Sequence, residues 1–504
     1  MAELLKEEDF KLKSEEKAFD PDHRRIIRNN MLKYEMAVTI GRKRYLNYEL
    51  ARKRTAGIRY RAIMNLDKNL VDFESNFTKR GGKVIWALDE KEAVDAILEI
   101  VKRQYITLVV KGKSMATEEI GIGDILMKNG IESLETDLGE FLVQLAGEKP
   151  YHIITPVMHK SKEDIAQLLS EKFGISPKST PEEITMFVRK HLREKFVKAD
   201  VGITGANFLI ADIGGVALTE NEGNGMMTFS FPKIHIVVAG IEKIIPSIAD
   251  LDVIWPVLAS NGTGQTITAY NSVITGPRQA DETDGPDEMY VILLDNNRTN
   301  VLAKPEQRKA LMCIKCGACL NACPVYRTIG GHAYGSVYSG PIGAVLVPIM
   351  KGHEEYKHLS YASSLCGRCT EVCPVMIPLH KLLLYNRRDS VNEGFAPSSE
   401  KRIMKMYRRM MMKRSWLETT NTGVFRSIRN SVIKNRLGKV WGDRREFPEF
   451  ARKSFNRQWK DKLKEQQREL EREQQREKEL LREQQAKQVE PENHPEPENE
   501  NTTD

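Results

Sequence analysis

The residues best equipped for chemistry form the run CIKCGACLNACP, in which Cys313, Cys316, Cys319 and Cys323 follow the spacing C-x2-C-x2-C-x3-C-P. Three thiolates on so tight a loop wrap one cubane iron–sulfur cluster, and the fourth, followed by proline, turns away towards another. A second run, CGRCTEVCP, places Cys366, Cys369 and Cys373 in the spacing C-x2-C-x3-C-P. Together the runs read as a two-cluster ferredoxin with crossed ligation: Cys313, Cys316, Cys319 and Cys373 hold the first cluster, and Cys323, Cys366 and Cys369 the second. A further cysteine of the second run is expected at position 372, where Val372 stands. The second cluster is therefore one protein thiolate short, a [4Fe-4S] or a [3Fe-4S] centre. Structural zinc also uses C-x2-C pairs. It needs four ligands in two pairs, however, and leaves the third cysteine, the x3 spacing and both prolines without a reason.

Between Cys323 and Cys366 lie 42 residues that include YRTIGGHAYGSVYSGPIGAVLVP, rich in glycine and tyrosine, which reads as a loop covering the clusters or facing a partner. His332, His353 and His358 belong to this insertion. Any one of them is a candidate for the vacant coordination place, although a surface histidine is the more ordinary role.

The elements that must position these cysteines precede them. Residues 1–79 read as a basic helical arm, in which GRKRYLNYELARKRTAGIRYRAIMNL mixes arginine and lysine with apolar residues at near-helical spacing. Its expected role is to pack on the next domain; nothing in it supplies an RNA-binding signature. From about residue 80 the pattern alternates. KVIWAL reads as a strand, Asp89 as the N-cap of EKEAVDAILEIVKRQ, and ITLVV, IESLE and HIITPV as further strands. KGKSMATEEIGIGDILMKNG reads as a loop running into a helix. Thr180, Pro181 and Glu183 make a helix start with a capping box. The stretch TGANFLIADIGGVALTENEGNGMMTFSFPKIHIVVAGIEKII reads as strands and hairpins completing the same sheet. Alternation of this kind predicts a parallel α/β domain over 80–299, a ferredoxin-like domain over 300–386, a basic helical region over 387–458 and a charged helix with a disordered tail over 459–504. The Met-rich helix KRIMKMYRRMMMKRSW is expected to pack on its own core, with a membrane surface or a partner as the other reading. In the tail, Glu465/Arg468, Glu469/Arg472 and Glu473/Arg476 are placed to pair, while Glu477 interrupts the heptad of Leu463 and Leu470.

Composition narrows the class. All seven cysteines fall between Cys313 and Cys373, a clustering that suggests metal rather than a disulfide framework. A net charge of +7 is the small difference between 77 basic and 70 acidic residues, too dilute to indicate nucleic acid. The apolar runs are too short to cross a bilayer, and MAELLKEEDF carries no apolar signal region. The expectation is a cytoplasmic protein, or one peripheral to the inner face of the membrane.

CIKCGACLNACPVYRTIGGHAYGSVYSGPIGAVL and SSLCGRCTEVCPVMIPLHKLL resemble the lactate utilization protein B family, as do KSMATEEIG, ETDLGEFLVQLAGEKP and TGANFLIADIGGVALTENEGNG upstream. The resemblance covers roughly residues 20–455 and leaves out the charged tail. It implies an α/β lactate utilization domain, similar in fold to sugar-phosphate isomerases and coenzyme A transferases, ahead of a ferredoxin-like domain. The same seven-cysteine arrangement is implied, as is electron transfer during oxidation of L-lactate to pyruvate. Two companion lactate utilization proteins are implied too, one of them cysteine-rich and cluster-binding.

Lactate oxidation releases two electrons and two protons, normally to a hydride acceptor beside a general base. An iron–sulfur cluster takes one electron, and no Gly-rich dinucleotide fingerprint stands in a strand-to-helix context. The expected role is the electron-transfer subunit of an oxidoreductase complex rather than a complete enzyme. Two other readings remain. An open iron at the three-cysteine cluster could act as a Lewis acid on a hydroxy acid. Glu220, in TENEGNG, is similar in setting to the Glu of such transferases, with Lys113 and Ser114 as anion-site candidates.

Overall fold

The computed structural model describes residues 6–413 and 455–487. Met1–Phe395 form one compact unit and Ala396–Asp504 a second. In the first unit, four helices come before any strand: α1 (Lys6–Ala18), α2 (Pro21–Lys43), α3 (Tyr48–Met64) and α4 (Leu66–Thr78). Asp20 accepts from the first free N–H groups of α2 and Pro21 sits at its first position, so this start satisfies its own backbone. Ile27 and Met31 of α2 and Ile58 and Ile63 of α3 enter the core that contains Cys316, Leu320 and Cys373. Leu66, Leu70, Phe73 and Phe77 of α4 pack instead on strand residues such as Val216, Val237 and Val291. The arm is thus built into both halves of the unit.

Ten strands follow: β1 (Lys83–Ala87), β2 (Leu108–Lys111), β3 (Glu132–Glu135), β4 (Val201–Thr204), β5 (Phe208–Ile210), β6 (Gly215–Glu220), β7 (Ile234–Gly240), β8 (Ile244–Ile245), β9 (Tyr270–Ile274) and β10 (Glu288–Leu294). Six make an all-parallel sheet in the order β1-β10-β7-β4-β2-β3. β7 is buried along its whole length, as parallel strands covered on both faces must be. Asp89 caps the helix Glu90–Arg103, and the Thr180/Glu183 capping box closes around Pro181, both as the residue types require.

Two expectations are corrected. HIITPV is not a strand: His152 Nδ1 accepts from the N–H of Ile154 (3.1 Å) and Thr155 (3.3 Å), and Tyr151 N donates to Pro156 O, so the segment folds back on itself. Of the stretch after β4, IHIVVAG joins the main sheet as β7, while β5, β6 and β8 build a second one, β8-β5-β6-β9. The reason is that only four residues, 211–214, join β5 to β6, which makes them antiparallel neighbours, whereas every pairing in the main sheet is parallel and needs a longer crossover.

The cysteine-bearing segment of the first unit is helical. The helix Gly340–Lys351 is buried from Gly340 to Met350, and the helices His353–Tyr361 and Leu379–Asn392 follow. In the second unit the helix Ser398–Met412 buries none of its residues, which corrects the expectation that it packs on its own core. Ile403, Met404 and Met406 are each about 60% exposed. The helix Phe455–Lys487 carries the charged repeat. The expected disordered end and most of the basic region after Lys413 lie outside the described residues. Among the described residues no helix is long and apolar enough to cross a membrane.

Candidate metal centre

The first cysteine run is shaped by its backbone. Lys315 takes a left-handed φ of +57°, and Gly317 a φ of +72° as it opens the short helix Ala318–Ala322. Glycine suits this position, because the φ is left-handed and a Cβ would also press on Ile154 Cδ1, 3.1 Å away. The result gathers Cys313, Cys316 and Cys319 around one small cavity, and Cys373, from the second run, completes its wall with Ile342 and Ile377. Lys315 N donates to Cys313 Sγ and Ile377 N to Cys373 Sγ, both at 3.4 Å. Burial, reinforced by neighbouring thiols, raises the pKa of Cys316 and Cys319, and pushes Cys373 up to about 11. Cys323, Cys366 and Cys369 form the other group: burial and then its two companions raise Cys369 to about 11. Cys323 and Cys369 are buried and Cys366 is exposed. All seven cysteines are unbridged. Two sets of soft, crowded sulfur donors, with backbone amides aimed at sulfur in both, fit iron–sulfur clusters.

The same comparison corrects the place of the missing cysteine. The two runs superimpose in sequence at a constant offset of 50 residues: Cys316, Cys319, Cys323, Pro324 and Val325 match Cys366, Cys369, Cys373, Pro374 and Val375. The backbone repeats with them, since Leu365 (φ +54°) matches Lys315 and Gly367 (φ +81°) matches Gly317. Val372 therefore stands opposite Ala322, which is no ligand position. The residue opposite Cys313 is Ser363.

Three arginines of the N-terminal helices hold these loops from outside. Arg59, fully buried, donates to Leu311 O (3.1 Å) and Met312 O (3.2 Å), immediately before Cys313. It also reaches Ile244 O and Glu242 O. Arg52 donates to Glu371 O (2.9 Å) and Cys373 O (2.8 Å), and Arg42 to Val372 O (3.2 Å). Positive charge so placed offsets the negative charge of clustered thiolates. The basic pattern of the arm was visible in the sequence; its carbonyl partners, hundreds of residues away, were not.

A cavity of about 290 Å³ opens at the carboxyl ends of β2, β4 and β7 and reaches Lys315 and Cys316. β2 continues to β3 on one side and β4 to β7 on the other, which makes this the topological switch point where open α/β sheets bind ligands. Lys113, Ser114 and Glu220 all line it. Each has a partner. Lys113 Nζ donates to Ile154 O, and Ser114 Oγ accepts from Thr117 N (3.3 Å) as the cap of a five-residue helix. Glu220 accepts from Gly225 N and Met226 N, both at 2.7 Å. Burial raises its pKa while these two amides pull it down. Sequence reasoning missed Lys243 and the Arg298 cluster. Lys243 lines the cavity, and burial lowers its pKa to about 8, against the pull of Glu242. Arg298 pairs with Glu119 (2.7 Å) and Glu242 (2.6 Å), and Tyr338 of the insertion donates to Glu119 (2.6 Å). No local spacing links these residues.

The insertion covers rather than ligates in its tyrosines: Tyr326, Tyr334 and Tyr338 are buried, and Tyr326 donates to Tyr151 O (2.7 Å). Its histidines have other neighbours. His332 Nε2 meets Lys149 O (2.7 Å) and groups with Glu148 and His159. His353 Nδ1 lies 2.8 Å from Glu393, and the ring of His358 packs 5.3 Å from that of Phe10.

Residues 70–294 match the LUD domain and residues 309–377 the 4Fe-4S dicluster domain, so the chain is an α/β protein joined to a dicluster iron–sulfur module. It is 43% identical over 425 residues to proteins called "Lactate utilization protein B" in Bacillus thuringiensis (strain Al Hakam) and Bacillus cereus (strain AH187), covering 83% of this chain and 89% of each relative. The chain belongs to the lactate utilization protein B family. A solved DUF162 family protein from Deinococcus radiodurans aligns with 46% of this chain and 98% of its own, at 15% identity and a TM-score of 0.27.

Proposed function

We propose that this protein is the iron–sulfur electron-transfer component of L-lactate oxidation to pyruvate, working in a complex with two companion lactate utilization proteins, one of them cysteine-rich and cluster-binding. The observation that carries the reading is the sorting of seven thiols from two distant runs into two groups, Cys313/Cys316/Cys319/Cys373 and Cys323/Cys366/Cys369. In this reading they hold two clusters, which supply one-electron carriers when bound. The chain's own residues insulate the first set, through Ile153, Ile342 and Ile377, and bring the second to the surface at Cys366. That gradient suits electrons that pass between an inner site and a docked partner. Arg42, Arg52 and Arg59 counter the charge of the loops and fix their carbonyls.

The alternative acyl-transfer role of Glu220 has less support, because backbone N–H groups occupy both of its carboxylate oxygens. An anion site at Lys113 and Ser114 would have to share their side chains with Ile154 O and Thr117 N. The proposal is tested by iron and sulfide analysis and electron paramagnetic resonance of the anaerobic protein. Cys373→Ala removes the signal of the first cluster although it lies in the second run, and Cys323→Ala that of the second. Loss of the opposite signal in either variant would contradict the crossed assignment.

A further inference from the structure

The two cysteine runs share more than spacing. Leu320 N donates to Gly317 O and Thr370 N to Gly367 O, both at 2.9 Å; Asn321 and Glu371 repeat the bond to the same glycines at 3.1 and 3.2 Å. Cys323 N meets Leu320 O at 3.1 Å, and Cys373 N meets Thr370 O at 3.4 Å. At the head of each run the echo reaches a side chain. Lys315 N donates to Cys313 Sγ at 3.4 Å, and Leu365 N donates to Ser363 Oγ at 3.1 Å. A left-handed φ is strained for a non-glycine residue, and the strain occurs twice, at Lys315 and Leu365, in the same place relative to the next cysteine. Ser363 Oγ thus holds, in the second loop, the chain position and the amide bond that Cys313 Sγ holds in the first.

From this repeat we infer that Ser363 supplies the fourth protein ligand of the second cluster, through its Oγ. The inference rests on the cluster reading given above and completes it. Cys313 joins Cys316, Cys319 and the last cysteine of the other run; by the same rule Ser363 joins Cys366, Cys369 and Cys323. Ligation forms one iron–oxygen bond, and the serine hydroxyl proton leaves to solvent, so the alkoxide brings the same single negative charge as a thiolate. Ser363 is half-buried and next to exposed Ser364, which leaves the proton a way out. Arg387 lies beside it, with Nη2 3.4 Å from Ser363 O and Nε 2.9 Å from Ser360 O, and its guanidinium favours the anion. Oxygen is a harder donor than sulfur, so this cluster favours its oxidised state relative to an all-thiolate one.

The test uses the full chain, purified and reconstituted without oxygen, as wild type, Ser363→Ala and Ser363→Cys. The wild type is expected to hold about eight iron atoms. Ser363→Ala is expected to lose about one iron and to show an oxidised three-iron resonance, with the first cluster unchanged. Ser363→Cys is expected to keep both cubanes and to change the potential of the second. Water enriched in oxygen-17 is expected to leave the wild-type signal of the reduced second cluster unbroadened, a readout that needs no variant. Full iron and an unaltered second-cluster signal in Ser363→Ala would overturn the inference. So would wild type that is already short of one iron, or broadened by the labelled water. A wild type without iron–sulfur signals, or Cys323→Ala without effect on the second cluster, would fail the cluster reading itself, which keeps the two failures apart.

Discussion

At the scale of single residues, charge near the thiols carries the strongest consequence. Arg52 is one of the few cations whose donors end on the backbone of a cysteine proposed as a ligand, at Cys373 O. Replacement by methionine keeps its packing and removes its charge, which disfavours the more negative, reduced cluster. Arg52→Met is expected to lower the potential of the first cluster by tens of millivolts, where about 1.4 kcal/mol corresponds to 59 mV for one electron. A redox titration followed by electron paramagnetic resonance checks it, and an unchanged potential would show that the guanidinium is screened. His235 makes a separate prediction. It is fully buried in β7, Thr204 Oγ1 lies 2.7 Å from its Nε2, and burial lowers its pKa to about 3. The unfolded chain binds this proton near the ordinary value of 6.5, so the contribution of His235 is complete above that pH and is lost as pH falls towards 3. Between pH 7 and 5 it removes about 2 kcal/mol of stability. In His235→Gln that part of the pH dependence should disappear from urea unfolding curves.

At the scale of elements, the packing of the arm rests on one crossing. A Cβ on Gly264, where φ is +78°, would lie 2.3 Å from Ala37 O of α2, while one on Gly41 would lie 2.6 Å from Gly264 O. Gly264→Ala is expected to cost about 3 kcal/mol in urea unfolding. Gly335→Ala, also at positive φ but with open space around it, should cost only about 1 kcal/mol. Similar losses in the two variants would mean that backbone strain, not the crossing, sets the cost. These elements also mark what could be read from the sequence. Helix starts at Asp89 and Thr180 were legible because a cap is decided within four residues. The strands β1, β2 and β3 were legible from short apolar runs. HIITPV was not, because a histidine ring nitrogen outcompetes a strand partner for its amides. The second sheet was not, because apolar runs alone do not tell which sheet a strand joins. The crossed grouping proposed for the cysteines was read from spacing, and the gap was placed at Val372 by counting forward from Cys366, which passes over the 50-residue offset that the repeated φ angles support.

At the scale of the whole molecule, the arm, the α/β sheets and the cysteine loops act as one device. Arg59 ties α3 to the head of the first run, Arg298 and Tyr338 tie the sheet to the insertion, and the switch-point cavity ends at Cys316. A cavity that ends at Cys316 on one side and the exposed Cys366 on the other are in keeping with the electron-transfer role proposed above. The direct measurement is anaerobic addition of L-lactate to the purified, cluster-loaded chain, alone and with its two companion proteins, followed by visible absorbance and electron paramagnetic resonance. Bleaching and a reduced-cluster signal only when the companions are present is the result expected of an electron-transfer component. Reduction of the isolated chain by lactate would contradict it and place the chemical step within this protein.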